Sequence, residues 1–182
     1  MRFFLVAVMA LWPAWATAQD FSVLKQPGVV ALMRHALAPG TGDPSNFDVE
    51  DCSTQRNLDD RGRAQARRIG QMMREAGVEF DGIWTSQWCR SRDTAVLLEM
   101  GEVEEFPPIN SHFAGRGDRA AQRQQTLEAI AEQPADARLL LVSHFVNIKA
   151  LSGQGASSGE IIVTRRMDGG GLEVIDRIEV AP

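Results

Sequence analysis

The chain has 182 residues, 44 % of them apolar, and carries a formal net charge of -5. That length and apolar content suffice for one compact domain with a core of its own. A mildly acidic balance argues against nucleic acid or an anionic membrane surface as the partner.

Residues 1–18 read as a secretory signal peptide. Arg2 supplies a short positive region, Phe3 to Trp15 is an apolar run interrupted only by Pro13, and Ala16-Thr17-Ala18 offers small residues for cleavage before the polar Gln19-Asp20. The run is shorter than the roughly 20 residues a spanning helix needs; an uncleaved N-terminal anchor is the competing reading. Cleavage leaves residues 19–182 as a single domain, periplasmic or secreted, with a net charge of about -6 once Arg2 is lost. No later stretch is apolar enough to span a bilayer.

Val29 to Met33, led in by Pro27-Gly28, reads as a short buried strand. Ala38 to Asp51, rich in Pro, Gly, Asp and Ser, reads as a loop. Asp59-Asp60 opens a helix with Ile69, Met72, Met73 and Ala76 on one face and Gly77 at its stop. Ile83 to Thr85 is a second strand. Ser86 is placed to cap the next helix, which turns Ala95 and Leu98 inward.

Val103 to Phe106 is a third strand, ended by Pro107-Pro108. Asp118 caps a helix running through Ala131, with Leu127 and Ile130 inward. Leu139 to Val142 is wholly apolar, as befits a strand buried on both faces. Phe145 to Leu151 is a helix stopped by Gly153, and Ser/Gly-rich Ser152 to Gly159 reads as a mobile loop near His144. Ile161 to Thr164 and Leu172 to Val180 flank Asp168-Gly169-Gly170-Gly171, a hairpin signal. Strands alternating with helices and finishing in a hairpin predict a three-layer α/β/α sandwich with a mostly parallel central sheet and an antiparallel C-terminal edge.

Two histidines share one setting. His35 follows the first strand and His144 follows the strand Leu139 to Val142. In an open α/β sheet ligands bind beyond the carboxyl ends of the strands, so both side chains are expected in one crevice. Arg34 precedes His35, and Arg90 lies just past another strand end. Guanidinium forks bind phosphate oxygens bidentately, and a helix N-terminus also favours an anion. A neutral imidazole is a nucleophile that divides one hard displacement into two easier ones. A second imidazole can stabilise the charge of the transferring oxygens. Other readings compete. A histidine at a strand end is often a structural hydrogen-bonding residue, and Arg90, close to Arg92 and Asp93, can be a surface ion pair. His35, His144 and His112 are also a possible zinc set, against which Arg34 stands as a repelling charge.

The sequence around these residues resembles the histidine phosphatase superfamily, the phosphoglycerate mutase-like fold. Leu32-Met33-Arg34-His35-Ala36 is similar to its Arg-His-Gly or Arg-His-Ala motif. Asn57 to Ala66 resembles the block that opens its first helix, Thr85 to Ala95 resembles its Thr-Ser-x-x-x-Arg-x-x-x-Thr-Ala block, and Leu141-Val142-Ser143-His144 resembles the strand ending in its second histidine. The four blocks stand in family order. The resemblance implies that His35 becomes a phosphohistidine, that Arg34 and Arg90 bind phosphate, that His144 completes the pocket, and that no metal or cofactor takes part.

The chain also departs from the family pattern. Ala36 replaces the commoner glycine. Phe145 follows His144 where one branch has an aspartate proton donor, and Pro107-Pro108-Ile109-Asn110-Ser111 lacks the glutamate of the other branch. Glu104, Glu105, His112 and Asp118 are nearby candidates; Glu105 is the choice, against the reading that it is a solvated charge in an acidic run. A missing acid slows expulsion of poor leaving groups most, which favours phosphoanhydrides, phosphoramidates and acidic phosphates. Little room remains for an inserted cap, so an open site is expected. That suits a phosphorylated small molecule, a phosphoprotein or the phosphorylated core of lipopolysaccharide. The resemblance offers periplasmic heptose-phosphate phosphatases and protein-phosphohistidine phosphatases as parallels and argues against phosphoglycerate mutation. An inactive family member that binds a phosphate ligand or a protein is the alternative.

Cys52 and Cys89 make an even pair. In an exported protein a disulfide is favoured over two buried thiols, and it would hold the loop after His35 against the segment bearing Arg90.

Overall fold

The computed structural model describes residues 20–182. The expected signal peptide and its cleavage point lie outside the described residues. Six strands form one sheet in the order β3-β2-β4-β1-β5-β6. They are β1 (Val29–Arg34), β2 (Gly82–Thr85), β3 (Glu104–Glu105), β4 (Leu139–Ser143), β5 (Ile161–Arg166) and β6 (Leu172–Ile178). The first four run parallel; β5 pairs antiparallel with β1, and β6 antiparallel with β5. Four helices cover the sheet: α1 (Asp60–Glu75), α2 (Cys89–Leu98), α3 (Arg119–Glu132) and α4 (Phe145–Ser152). The fold is the expected α/β sandwich with an antiparallel C-terminal edge.

Alternation along the strands builds the layers. Val29, Ala31 and Met33 point to one face with Leu140 and Val142, where they meet Ile69 and Met73 of α1 and Ala95 and Leu98 of α2. Val30 and Leu32 point to the other face with Leu139 and Leu141, where Ile130 of α3 and Ile148 and Leu151 of α4 cover them. Both faces are buried, so the central strands are continuously apolar.

Local signals explain most boundaries. The Asp59 carboxylate accepts from the Gly62 amide and caps α1. At the other end Gly77 turns left-handed, its amide bonding the Arg74 carbonyl while Val78 bonds Met73, which is a Schellman stop. Asp118 caps α3 through the Ala120 and Ala121 amides, as expected.

Three expectations need correction. The third strand is only two residues long, because Pro107-Pro108 cannot donate to a ladder and starts a 3-10 turn over Pro107–Ile109. Ser86 does not cap α2, which begins three residues later behind Trp88; the Ser86 hydroxyl turns to His144 and Asn110 instead. The 152–159 loop is pinned down: Ala156 and Ser158 carbonyls accept from Arg34 and Gln65, and the Gly159 amide donates to the carbonyls of Arg34 and His35.

Candidate active site

Parallel pairing of β1 with β4 sets Arg34 opposite Ser143, and the His35 amide donates to the Ser143 carbonyl at 2.9 Å. The next residue on each strand is a histidine, and their ring centroids lie 5.5 Å apart. Both are buried, His35 to 2 % and His144 to 3 % exposure. They line a cavity of about 290 Å³ together with Arg34, Arg56, Arg90, Ser111 and the 40–42 loop, with Phe113, Phe145 and Val146 at its apolar side. A larger groove, about 840 Å³, lies between α3 and the β5–β6 turn, but it holds neither histidine.

The two imidazoles are held in defined tautomers. His35 Nδ1 stands 2.8 Å from the Ala36 carbonyl oxygen. A carbonyl only accepts, so Nδ1 carries the proton and Nε2 keeps its lone pair. His144 Nδ1 faces an Arg90 amine at 3.5 Å, and its Nε2 lies 2.8 Å from the Ser86 hydroxyl. Arg90 only donates, so His144 Nε2–H donates to Ser86, whose hydroxyl passes to Asn110 at 3.2 Å.

Burial, then the charges of Arg90, Arg34 and Arg56, hold His35 well below the ordinary imidazole range, its bond to Ala36 opposing them only in part. His144 is depressed in the same way, by burial first and then by Arg90, with His35 and the other two guanidiniums adding to it. Both rings are neutral at neutral pH.

The guanidiniums crowd one another. Burial and then the Arg90 charge lower Arg56 to about 10, and burial and Arg90 also lower Arg34. Arg90 is clamped by Asp43: one amine meets Oδ1 at 2.6 Å and the other Oδ2 at 3.3 Å, with side-chain exposures of 3 % and 6 %. The Trp88 indole donates to the same carboxylate at 3.0 Å. Burial alone would raise Asp43, but Arg90 and Trp88 outweigh it and hold the carboxyl below its usual range. Three guanidiniums less one carboxylate leave the cavity about +2. The Nε–H groups of Arg34 and Arg90 are buried with no partner. Orphaned cationic donors beside a +2 cavity are what an oxyanion such as phosphate would satisfy.

Of the expected site residues, Arg34, His35, Arg90 and His144 are brought together, and Glu105 is not. Glu105 sits on the edge strand β3, where it pairs with Arg92 at 3.3 Å and accepts from Gln87, outside the cavity lining. Short β3 lies at the sheet edge, with β2 between it and the strand that carries His144. No aspartate or glutamate lines the cavity. His112 lies in a small cleft with Arg119 and Arg123, so the three histidines do not converge as a zinc set would require. Among the described residues no group of three histidine, cysteine or acidic side chains is arranged to hold a metal.

Sequence reading missed Arg56 and Asp43, both in the irregular 38–56 segment. The Cys52–Cys89 bridge is formed, and it holds this segment against the start of α2. That pairing was the available signal: it puts Arg56 within reach of Arg90, whose amine meets the Arg56 carbonyl at 3.2 Å.

Comparison with known proteins agrees with this construction. Residues 30–110 match the model of the histidine phosphatase superfamily (branch 1). A mitochondrial serine/threonine-protein phosphatase Pgam5 of Drosophila virilis is 28 % identical over 148 residues, 67 % of this chain and 48 % of that protein. An uncharacterized protein of Picosynechococcus sp. is 32 % identical over 113 residues, 62 % of this chain and 64 % of that protein. The chain thus spans half to two thirds of the length of these relatives. The protein histidine phosphatase SixA, solved with tungstate, superposes with a TM-score of 0.62 at 17 % identity, covering 82 % of this chain and 96 % of that one. A phosphoserine phosphatase of Entamoeba histolytica, solved with 3-phosphoglyceric acid, gives 0.63 at 14 % identity, covering 84 % and 97 %. Sequence motif and paired histidines converge with the family model over residues 30–110 on a likeness to the histidine phosphatase superfamily, and the solved structures share its fold.

Proposed function

We propose that the chain is a metal-independent phosphatase that hydrolyses phosphate monoesters, or phosphohistidine, through a phosphohistidine intermediate on His35. The observation that carries this reading is the neutral His35 ring, its Nδ1–H spent on Ala36 and its Nε2 lone pair left for phosphorus, beside unpartnered guanidinium donors. Arg34, Arg56 and Arg90 bind the phosphoryl oxygens and neutralise the charge of the transition state. A bound dianion cancels the field that keeps His144 neutral, so His144 takes a proton and donates to a phosphoryl oxygen. Water then attacks the phosphoramidate and frees His35.

We further propose that the enzyme works after export, in the periplasm or outside the cell, with residues 1–18 removed. The disulfide supports this, since such bridges persist in oxidising compartments. Phosphoproteins head the substrate classes, given what Pgam5 and SixA are named for; a small phosphate ester or a phosphorylated lipopolysaccharide core follows.

The decisive experiment is phosphate release from 4-nitrophenyl phosphate by residues 19–182, with and without chelator, beside His35→Ala. Activity that survives chelator and falls by at least about 10³-fold in the variant is expected. The absence of an acid in the cavity favours one rival, a binding module without turnover. A folded wild-type protein that binds phosphate and releases none from any ester would establish that rival.

A further inference from the structure

Four large apolar side chains stand exposed among the described residues, and two of them, Phe113 at 46 % and Phe145 at 41 %, border the cavity of His35 and His144. Single exposed apolar residues need no explanation, but a pair on one cavity marks a binding surface. The Phe145 ring has a prepared place. A Cβ at Gly155 would lie 2.5 Å from its Cε2, so only glycine leaves room for it. The Arg34 guanidinium lies 5.9 Å and the Lys149 ammonium 6.0 Å from its centroid. Phe113 approaches from the opposite chain segment, its Cε1 within 3.7 Å of the space a side chain at Gly42 would fill.

Two features of the cavity bear on the ligand. At about 290 Å³ it has room for a phosphate and one ring. It also offers no carboxylic acid to protonate a departing oxygen. A phenolate leaves unaided far better than an alkoxide, since its conjugate acid has a pKa of about 10 against roughly 16 for water.

We propose that the site selects aryl phosphates, the phosphate esters of phenols, with the ring packed against Phe113 and Phe145; this rests on the phosphatase reading above. The phenol is either a small molecule or a tyrosine side chain. His35 Nε2 gives its lone pair to phosphorus as the phosphorus–oxygen bond to the ring breaks, its electron pair leaving with the phenolate. Water then adds to phosphorus, the nitrogen–phosphorus pair returns to Nε2, and one water proton ends on the phenolate. The products are the phenol and hydrogen phosphate.

The test compares kcat/KM for phenyl phosphate, a phosphotyrosyl peptide, benzyl phosphate and acetyl phosphate in the wild type, Phe113→Ala and Phe145→Ala. Benzyl phosphate keeps the ring but must expel an alkoxide; acetyl phosphate leaves readily and has no ring. Phenyl phosphate or the peptide should exceed benzyl phosphate by roughly a hundredfold, and the better of the two identifies the source. The phenyl-to-acetyl ratio should fall about fivefold in each variant. Phe113→Leu and Phe145→Leu, which keep bulk and lose the ring, replace any alanine variant that fails to fold. Equal turnover of benzyl and phenyl phosphate, or an unmoved phenyl-to-acetyl ratio, would overturn the proposal while His35-dependent acetyl phosphate hydrolysis kept the phosphatase reading alive. Loss of all four activities in folded wild type would instead strike the phosphatase reading itself.

Discussion

Asp43 and Arg90 form a buried pair whose separation has two readable effects. Asp43→Asn removes the charge that offsets Arg90, and breaking a buried pair on one side costs about 3 kcal/mol or more. It also leaves the cavity more positive, so inorganic phosphate should raise the Tm of the variant more than that of the wild type. Calorimetry with and without phosphate checks both effects. The histidines set the pH behaviour. Burial and the guanidiniums depress His35 and His144 in the folded chain. Below the unfolded value of about 6.5 the unfolded state takes up two protons that the native state declines, so stability falls as pH drops through that value. Loss of the depressed Asp43 carboxylate adds to this at more acid pH. Because free His35 stays neutral, the acid limb of kcat/KM is expected below pH 6.5. A limb above 7 would mean that the nucleophile is not the buried imidazole.

Helix α1 ties the loop after His35 to the rest of the domain. Gln65, fully buried, accepts from the Leu37 amide and donates to the carbonyls of Ser158 and Val180. Gly62, one turn earlier, lies so close to the same loop that a Cβ would stand 1.9 Å from the Leu37 carbonyl oxygen. Gly62→Ala must push the loop away, at roughly 1–3 kcal/mol, and the expected signature is a lower Tm together with a lower kcat, since Leu37 is two residues from His35. Both residues were visible in the sequence as parts of a motif. Their purpose was not, because a motif gives spacing along one helix and not the loop that the helix presses on. Elements with a strong apolar signal, the unbroken runs of β1 and β4 and the helical period of α1, were legible nearly to the residue. Ser86 was misread because a capping serine and a serine that serves a histidine look alike until the partner is known.

At the scale of the molecule, the architecture was legible in outline: strands alternating with helices in a mostly parallel sheet, then a hairpin. That outline puts His35 and His144 in one crevice; the strand order that sets β1 beside β4 was not legible. The rest of the site was hidden because residues 38–56 have no period; their place is fixed by the Cys52–Cys89 bridge and by long-range bonds from Trp88, Cys89 and Arg90 to Asp43, Gln55 and the Arg56 carbonyl. Closing a span of 37 residues contributes about 4 kcal/mol. The Cys52→Ala/Cys89→Ala pair should therefore lower the Tm by roughly 10 °C, and unreduced wild type should carry no alkylatable thiol by intact mass. The ladder that joins β1 to β4 also divides the site in time. His35 and His144 hang from neighbouring central strands, so parting them means opening the middle of the sheet, which approaches global unfolding. The cavity's other lining, from Gly40 to Gly42 and from Ser111 to Gly115, is built of turns outside the sheet, which are expected to open at lower cost. Amide exchange should find a slow floor beneath a fast wall. Such a site can be given a new leaving-group pocket by recutting the wall while the phosphoryl-transfer floor stays as it is.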